Sequence, residues 1–435
     1  MTAAAPDRRL EACRRVVALL RRQIDAPVAV RLWDGSLEPL GTTAATGPVI
    51  AIRTPGVLPS LVRRPSLDRL IRHYAHGRID VEGGTLVDLA HALGERSLRR
   101  SLGRLDRGAL LRALWPLAIA RGDPPDATRG YGDDSSGKRR RAGDNKSFIS
   151  FHYDVGNAFY GLFLDPEMVY SCAYFPSWDA ELATAQTAKL EMICRKLRLR
   201  PGERLLDIGF GWGGLACHAA RHHGVHVHGI TLSEEQLAFT RAKVEALGLE
   251  DRVTLELRDY QDMTGRFDKI ASIAMYEAIG LANTAAYFKT LRRLLTDDGL
   301  LLNHSIARGA KPPGKRFGRR AEHRAIQRYI FPGGELEDVG STVATMERAG
   351  FEVHDVEGWR WHYARTTRLW CERLTARRAE AERLVGPETV RLWVAYLAGV
   401  SIAFERGSLR LFQVLAGKSA KGAPAVPPTR ADLYG

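Results

Sequence analysis

Along the first 120 residues, apolar positions recur in short, interrupted patterns. Leu10, Cys13, Val17, Leu20 and Ile24 fall on one face of a helix. They precede a hairpin-like stretch, Val28 to Leu40, that turns at Asp34-Gly35. Further strand and helix signals follow at residues 49–52 and 67–74, and a helix near 110–120 closes the unit. From 121 to 146 the composition shifts to Gly, Pro, Asp, Ser and Arg, as expected of a flexible basic linker. The pattern then becomes regular. Apolar runs at 205–208, 225–230, 253–257, 267–274 and 299–306 read as strands, and they alternate with helical periodicity at 213–222, 234–247 and 284–295. Such alternation predicts an α/β fold with a doubly wound parallel sheet over 147–435, beside a smaller N-terminal α+β domain over 1–120.

The first of those strands runs into Asp207-Ile208-Gly209-Phe210-Gly211-Trp212-Gly213-Gly214. Gly209, Gly211 and Gly213 allow backbone to approach a ligand where a Cβ would collide, at the carboxyl end of a strand that opens a helix. A glycine turn of this kind is common, so its neighbours decide what it holds. No Lys-Ser or Lys-Thr follows the glycines, which argues against a phosphate-cradling loop. The second strand ends at Thr231-Leu232 rather than at the acidic residue that a dinucleotide ribose needs. Asp207, inside the first strand, is placed to receive an ammonium. Gln236 follows the second strand, and Asp259-Tyr260 after the third supplies an acceptor and a ring for an adenine. This ordered set fits S-adenosylmethionine better than NAD.

Composition narrows the setting. The net charge is +14 and the sequence pI about 9.7. Nucleic acid and an anionic membrane surface both attract such a chain, and no RNA-binding or helix-turn-helix pattern accompanies the charge. Part of it lies in two runs, Lys138–Arg141 and Lys311–Arg324. No apolar run approaches the ~20 residues of a membrane span, and arginines interrupt any signal-peptide core near residues 16–24. Five scattered cysteines, at 13, 172, 194, 217 and 371, form no CxxC pair. Their spacing therefore indicates neither a zinc site nor a disulfide framework, and the chain reads as cytoplasmic.

Two further segments carry chemistry. Aromatic residues crowd Phe151–Tyr160 and Tyr170–Phe175, which reads as a lid over a pocket. Glu277 and His304, near strand ends, form a candidate acid/base pair, with Tyr363 further along the chain.

The motifs His152-Tyr153-Asp154-x-Gly156-Asn157-x-Phe159-Tyr160 and Tyr170-Ser171-Cys172-Ala173-Tyr174-Phe175 resemble those of the cyclopropane-fatty-acyl-phospholipid synthases and the related mycolic acid cyclopropane synthases. The glycine turn, Gly229-Ile230-Thr231-Leu232-Ser233-x-x-Gln236 and Tyr329-Ile330-Phe331-Pro332-Gly333-Gly334 fit the same family, in order, over residues 147–415. The resemblance implies a Rossmann-like class I methyltransferase sheet with a helical lid. It implies S-adenosylmethionine contacts from Tyr170, Ser171, Gly209, Gly211, Thr231, Gln236, Asp259 and Tyr260. It also implies a bicarbonate ion caged by Glu277, His304 and Tyr363 with backbone at Cys172 and Ile306. An N-terminal domain of this kind marks the phospholipid-acting branch, so the substrate expected is a membrane phospholipid with unsaturated acyl chains. A peripheral position on the inner face of the membrane follows, and the resemblance admits a homodimer.

Three positions depart from the pattern. Phe210 stands where cysteine is usual, Ala278 where histidine is common, and Val400 where some members carry a cysteine. The expected reaction is methyl transfer to a cis double bond, with ring closure by proton loss from the new methyl. Proton loss from a neighbouring carbon would give a methyl-branched or methyl-unsaturated chain instead. Methylation of an oxygen or nitrogen of a small molecule, or a non-catalytic lipid- or nucleic-acid-binding role on the same fold, are the competing readings.

Overall fold

The computed structural model describes residues 7–42, 46–94, 106–131, 147–148, 151–311, 321–418 and 426–434. The chain divides into two compact units. The first comprises Met1–Gly130, Arg319–Ala325 and Arg378–Ile402; the second comprises Tyr131–Gly318, Ile326–Arg377 and Ala403–Gly435.

In the first unit, strands β1 (Ala29–Arg31), β2 (Leu37–Pro39), β3 (Val49–Ile52) and β4 (Ile79–Glu82) form a sheet in the order β2-β1-β3-β4. The hairpin expected at residues 28–40 is the antiparallel β1–β2 pair, while β1 and β3 run parallel. Helix Arg8–Arg21 buries Ala12, Cys13 and Val17, capped by the Asp7 carboxylate on Arg9 N. Residues 378–402, which the sequence pattern places with the catalytic domain, cluster here. The buried Arg391 guanidinium explains it, donating to the carbonyls of Tyr74 (2.5 Å) and Ile79 (2.7 Å) and pairing with Asp80 at 3.0 Å. The start of the expected linker is likewise anchored. Arg72 and Arg78 donate to carbonyls at 124–126, and Thr54 donates to Asp123 at 2.6 Å. The run 138–141 and residues 312–320 of the second basic run lie outside the described residues.

The second unit is built on seven strands: β5 (Arg204–Ile208), β6 (His226–Thr231), β7 (Val253–Leu257), β8 (Phe267–Ile273), β9 (Leu295–Arg308), β10 (Phe351–Gly358) and β11 (Leu409–Lys418). Their order is β10-β11-β9-β8-β5-β6-β7, parallel from β7 through β9, with β11 antiparallel to both neighbours. Alternation along β5 sends Leu205 to one face and Leu206 to the other. Leu205 joins the cluster of Leu190, Ile193, Leu197, Ala216 and Ala220 from helices Leu182–Leu197 and Gly214–His223. Leu206 joins Tyr287, Phe288 and Leu291 from helix Thr284–Leu294. Full burial of side chains of this size stabilises by about 1.5–3 kcal/mol each. This is the expected doubly wound sheet, and its order reverses at β5. A ligand crevice therefore opens beyond the carboxyl ends of β5, β6 and β8.

Candidate functional site

The glycine turn sits at that crevice. Gly209, Gly211 and Gly213 all take positive φ, at 77°, 60° and 78°. At Gly213 a Cβ would stand 2.4 Å from the Thr240 methyl, so the packing of helix Glu234–Ala246 requires glycine there. At Gly211 nothing lies within reach of a Cβ, which leaves the backbone open to a ligand. The cavity beside the turn is walled by Tyr170 and Ser171 on one side and by Thr231, Gln236, Asp259 and Tyr260 on the other. Leu232 and Asp207 also line it. The structure thus gathers these expected cofactor residues around one cavity.

Several polar atoms there are buried without a partner among the described residues: Asp207 Oδ2, Asp259 Oδ2 and Gln236 Nε2. Thr231 Oγ1 donates to Gln236 Oε1 at 3.0 Å, which leaves the Gln236 amide nitrogen unspent. Buried polar groups of this kind are ordinarily satisfied, so these fit a ligand that carries an ammonium, hydroxyls and an amino-substituted ring. Burial pushes the Asp207 carboxyl up to about 7, opposed by the charge of Lys189. Lys189 was not singled out in the sequence, yet it is buried in the cavity wall. It donates to Ser171 Oγ at 2.9 Å, and burial brings its own value down to about 8. Gln186, one turn earlier, donates to the carbonyls of Val169 and Ser171 at 3.2 and 2.9 Å, pinning the aromatic segment to this helix.

That segment, the expected lid, contributes Tyr153 and Tyr170 to the cavity wall. Residues 151–153 and 157–161 are helical within it, and Phe159, Tyr160 and Phe163 are fully buried. Tyr160 packs on Tyr170 and Trp212 at 5.2 and 4.8 Å between ring centres. Trp212 Nε1 donates to Asn157 at 2.7 Å, tying the glycine turn to the wall.

A second constellation lies at the ends of β8 and β9. Glu277 occupies a 3-10 turn, Tyr276–Ala278, that follows Ala274, whose φ of 56° is strained for a residue with a Cβ. Its Oε1 accepts from the Ile306 amide, while Oε2 is buried without a partner. Burial lifts this carboxyl to about 7. His304 is fully buried, and burial together with the charges of Lys189 and Lys196 holds it well below the usual imidazole range, hence neutral. Its proton can be placed. Lys196 donates to Gln413 Oε1 at 2.7 Å, which orients the amide so that Gln413 Nε2 donates to His304 Nδ1 at 3.0 Å. The ring hydrogen then sits on Nε2, which has no partner. Lys196 also pairs with Glu357. Neither Lys196 nor Gln413 stands out in the sequence, since their roles depend on a contact spanning 217 residues.

Cys172 is buried, its thiol donating to the Ala173 carbonyl at 3.2 Å, and burial raises it far above the thiol range. It is therefore no nucleophile. Trp359, whose carbonyl lies 3.9 Å from Cys172 Sγ, packs edge-on to His304 at 5.8 Å. Tyr363 lies one turn further on, in helix Arg360–Ala376, with its ring against Phe404 (4.6 Å) and Trp370 (6.1 Å). Trp370 in turn packs on Tyr170 at 5.2 Å. Ala278, the position that departs from the motif, lies on the wall of the cofactor cavity.

Comparison with known proteins places these features in company. Residues 140–414 match the family model described as mycolic acid cyclopropane synthetase. A probable fatty acid methyltransferase of Pseudomonas putida is 39% identical over 419 residues, covering 95% of this chain and 98% of that protein. The cyclopropane-fatty-acyl-phospholipid synthase of Escherichia coli K12 is 38% identical over 264 residues, covering 61% of this chain and 66% of its own length. The crystal structure of the mycolic acid cyclopropane synthase CmaA1 complexed with SAH and CTAB superposes with a TM-score of 0.59 at 31% identity. It covers 63% of this chain and 98% of its own.

Proposed function

This chain belongs to the mycolic acid cyclopropane synthetase family, and from that premise we propose that it methylates a cis double bond in an acyl chain of a membrane phospholipid and closes a cyclopropane ring. S-adenosylmethionine, when bound, supplies the electrophilic methyl. Asp207, Gln236, Thr231 and Asp259 are the residues that would hold it at the glycine turn.

One observation carries the reading. Two buried polar atoms, Glu277 Oε2 and the hydrogen-bearing His304 Nε2, lie unspent among the described residues, with the Ile306 amide on the other oxygen of Glu277. One unspent acceptor beside one unspent N–H donor matches a small oxyanion that still carries a hydrogen. Bicarbonate fits that pair, held by Glu277 and His304 with Ile306, Tyr363 and Cys172 alongside, and it would supply the base for ring closure. The protein does the remainder. An alkene is a weak nucleophile, so the walls must hold it in line and keep water out, an orientation effect worth up to about 7–11 kcal/mol. Ring faces at Tyr153 and Tyr170 line the same cavity and suit a cationic intermediate, at about 0.5–2 kcal/mol each.

Gln413→Leu removes the group that fixes the His304 hydrogen. Its expected effect is a loss of more than about tenfold in kcat, with KM for the methyl donor unchanged. Steady-state methyl-transfer kinetics check this.

The full-length likeness to a fatty acid methyltransferase, together with Ala278 on the cavity wall, favours a second reading in which the proton leaves a neighbouring carbon. Gas chromatography–mass spectrometry of fatty acids from a synthase-free host expressing this chain separates the two. A cyclopropane product supports the first reading. A methyl-branched or methyl-unsaturated chain moves the proton loss, and an unaltered lipid profile would return the chain to small-molecule methylation.

No helix among the described residues is long and apolar enough to cross a membrane, so lipid must be met at a surface. Leu111, Trp115 and Ile119 stand on one face of helix Arg107–Ile119, each about two-thirds exposed. Together with the net positive charge this favours binding to anionic vesicles through charge and apolar contact combined. Sedimentation with such vesicles is expected to weaken as salt rises and to retain a fraction that Trp115→Ala removes. Binding indifferent to Trp115→Ala would exclude this helix from the contact.

A further inference from the structure

Helices Leu182–Leu197 and Gly214–His223 pack on the same face of the sheet, and their facing sides bring Cys194, His218 and His223 together. One ligand atom from each lies within 4.8 Å of the others. Glu191, nearly one turn before Cys194, reaches both imidazoles: its Oε2 is 3.3 Å from His218 Nε2 and 3.0 Å from His223 Nε2. Arg195 holds the other carboxylate oxygen at 3.0 Å. Cys194 is completely buried, whereas the two histidines and Glu191 keep a partial opening to solvent.

We propose that Cys194, His218, His223 and Glu191 form a four-coordinate zinc site. One thiolate, two imidazoles and one carboxylate are a donor set that zinc accepts. Bond lengths of about 2.0–2.3 Å to zinc place tetrahedral donors about 3.3–3.8 Å apart. The carboxylate–imidazole spacings stand close to that range, and the thiol has only to close inward. Binding forms a zinc–sulfur bond and releases the Cys194 proton to solvent; nothing is oxidised or reduced. Arg195 steadies the carboxylate from outside the site.

The site lies away from the reacting atoms, and its effect is positional. Helix Leu182–Leu197 contributes Lys189, Leu190 and Ile193 to the cofactor cavity, and helix Gly214–His223 begins directly at the glycine turn. An ion between them fixes the two helices that frame the methyl-donor pocket. Cysteine spacing alone concealed this, because the ligands come from two helices and only one is a cysteine.

The test uses the full chain, freed of metal with a chelator and titrated with Zn²⁺ and separately with Co²⁺. The expected result is saturation at one ion per chain and a higher melting temperature with zinc. The cobalt form should show four-coordinate visible bands and a near-ultraviolet thiolate band. Cys194→Ala should abolish the thiolate band. His223→Gln, at a partly open helix end where folding is safe, should weaken binding by about 10–100-fold. No saturable uptake, or equal affinity in wild type and His223→Gln, overturns the proposal. These readouts are independent of which lipid product the enzyme makes.

Discussion

Glu277→Gln is expected to lower turnover by about 10²–10⁴-fold while leaving S-adenosylhomocysteine binding close to wild type. The substitution keeps the shape of the side chain and an oxygen able to accept from the Ile306 amide. What it removes is the acceptor at Oε2, the buried atom with no partner among the described residues. Cofactor affinity should survive because Glu277 itself is not part of the cavity wall, although Ala274, Met275 and Ala278 around it are. The pH profile adds a second signature. Burial holds this carboxyl at about 7, so the ionised form accumulates only as pH rises through that value. Wild-type activity should therefore climb through neutrality, and the small residual activity of the variant should lack that limb. Methyl transfer to phospholipid vesicles, followed across pH beside calorimetric titration with S-adenosylhomocysteine, measures both. A variant turning over at the wild-type rate would remove Glu277 from the chemistry.

The pH dependence of S-adenosylhomocysteine affinity should in turn identify Asp207. Its carboxyl is buried, carries an unpartnered oxygen and is pushed up to about 7, against an ordinary value of 3.8. A cationic ammonium prefers the ionised form, so affinity should fall about tenfold per pH unit below 7. In Asp207→Asn the affinity should be weaker and nearly flat. Stability follows the same linkage. The folded state holds the Asp207 proton up to about 7 and the unfolded state releases it near 3.8, so between these values the native state binds more protons. Ligand-free stability attributable to this group is therefore intact in acid and falls as pH rises through that window. Thermal melts of wild type and Asp207→Asn across the window should diverge, the variant gaining relative stability towards neutral pH. Parallel curves would mean that Asp207 is not the titrating group.

Much of this was legible in the chain because the chemistry is local. The strand, the glycine turn and the helix that holds the cofactor lie within twenty residues of one another, and period-two and helical patterns locate the remaining strands. Glu277 and His304 were readable as residues near strand ends. Their supporting groups were not. A periodic pattern shows that Lys196 and Gln413 face inward without showing that they face each other, and nothing in residues 378–402 announces that Arg391 will find Asp80, 311 positions earlier. The stretch from 121 has the composition of a linker, which does not announce that its carbonyls at 124–126 accept from Arg72 and Arg78. In the aromatic segment, ring content marks the lid, but not which rings pack upon one another.

Helix Leu182–Leu197 carries Lys189 at the methyl-donor pocket and Lys196 behind His304. The two stand seven residues apart, which in an α-helix is two turns and about 10 Å of rise. A shift or rotation of this one helix would therefore disturb the methyl-donor pocket and the orientation of the His304 ring together.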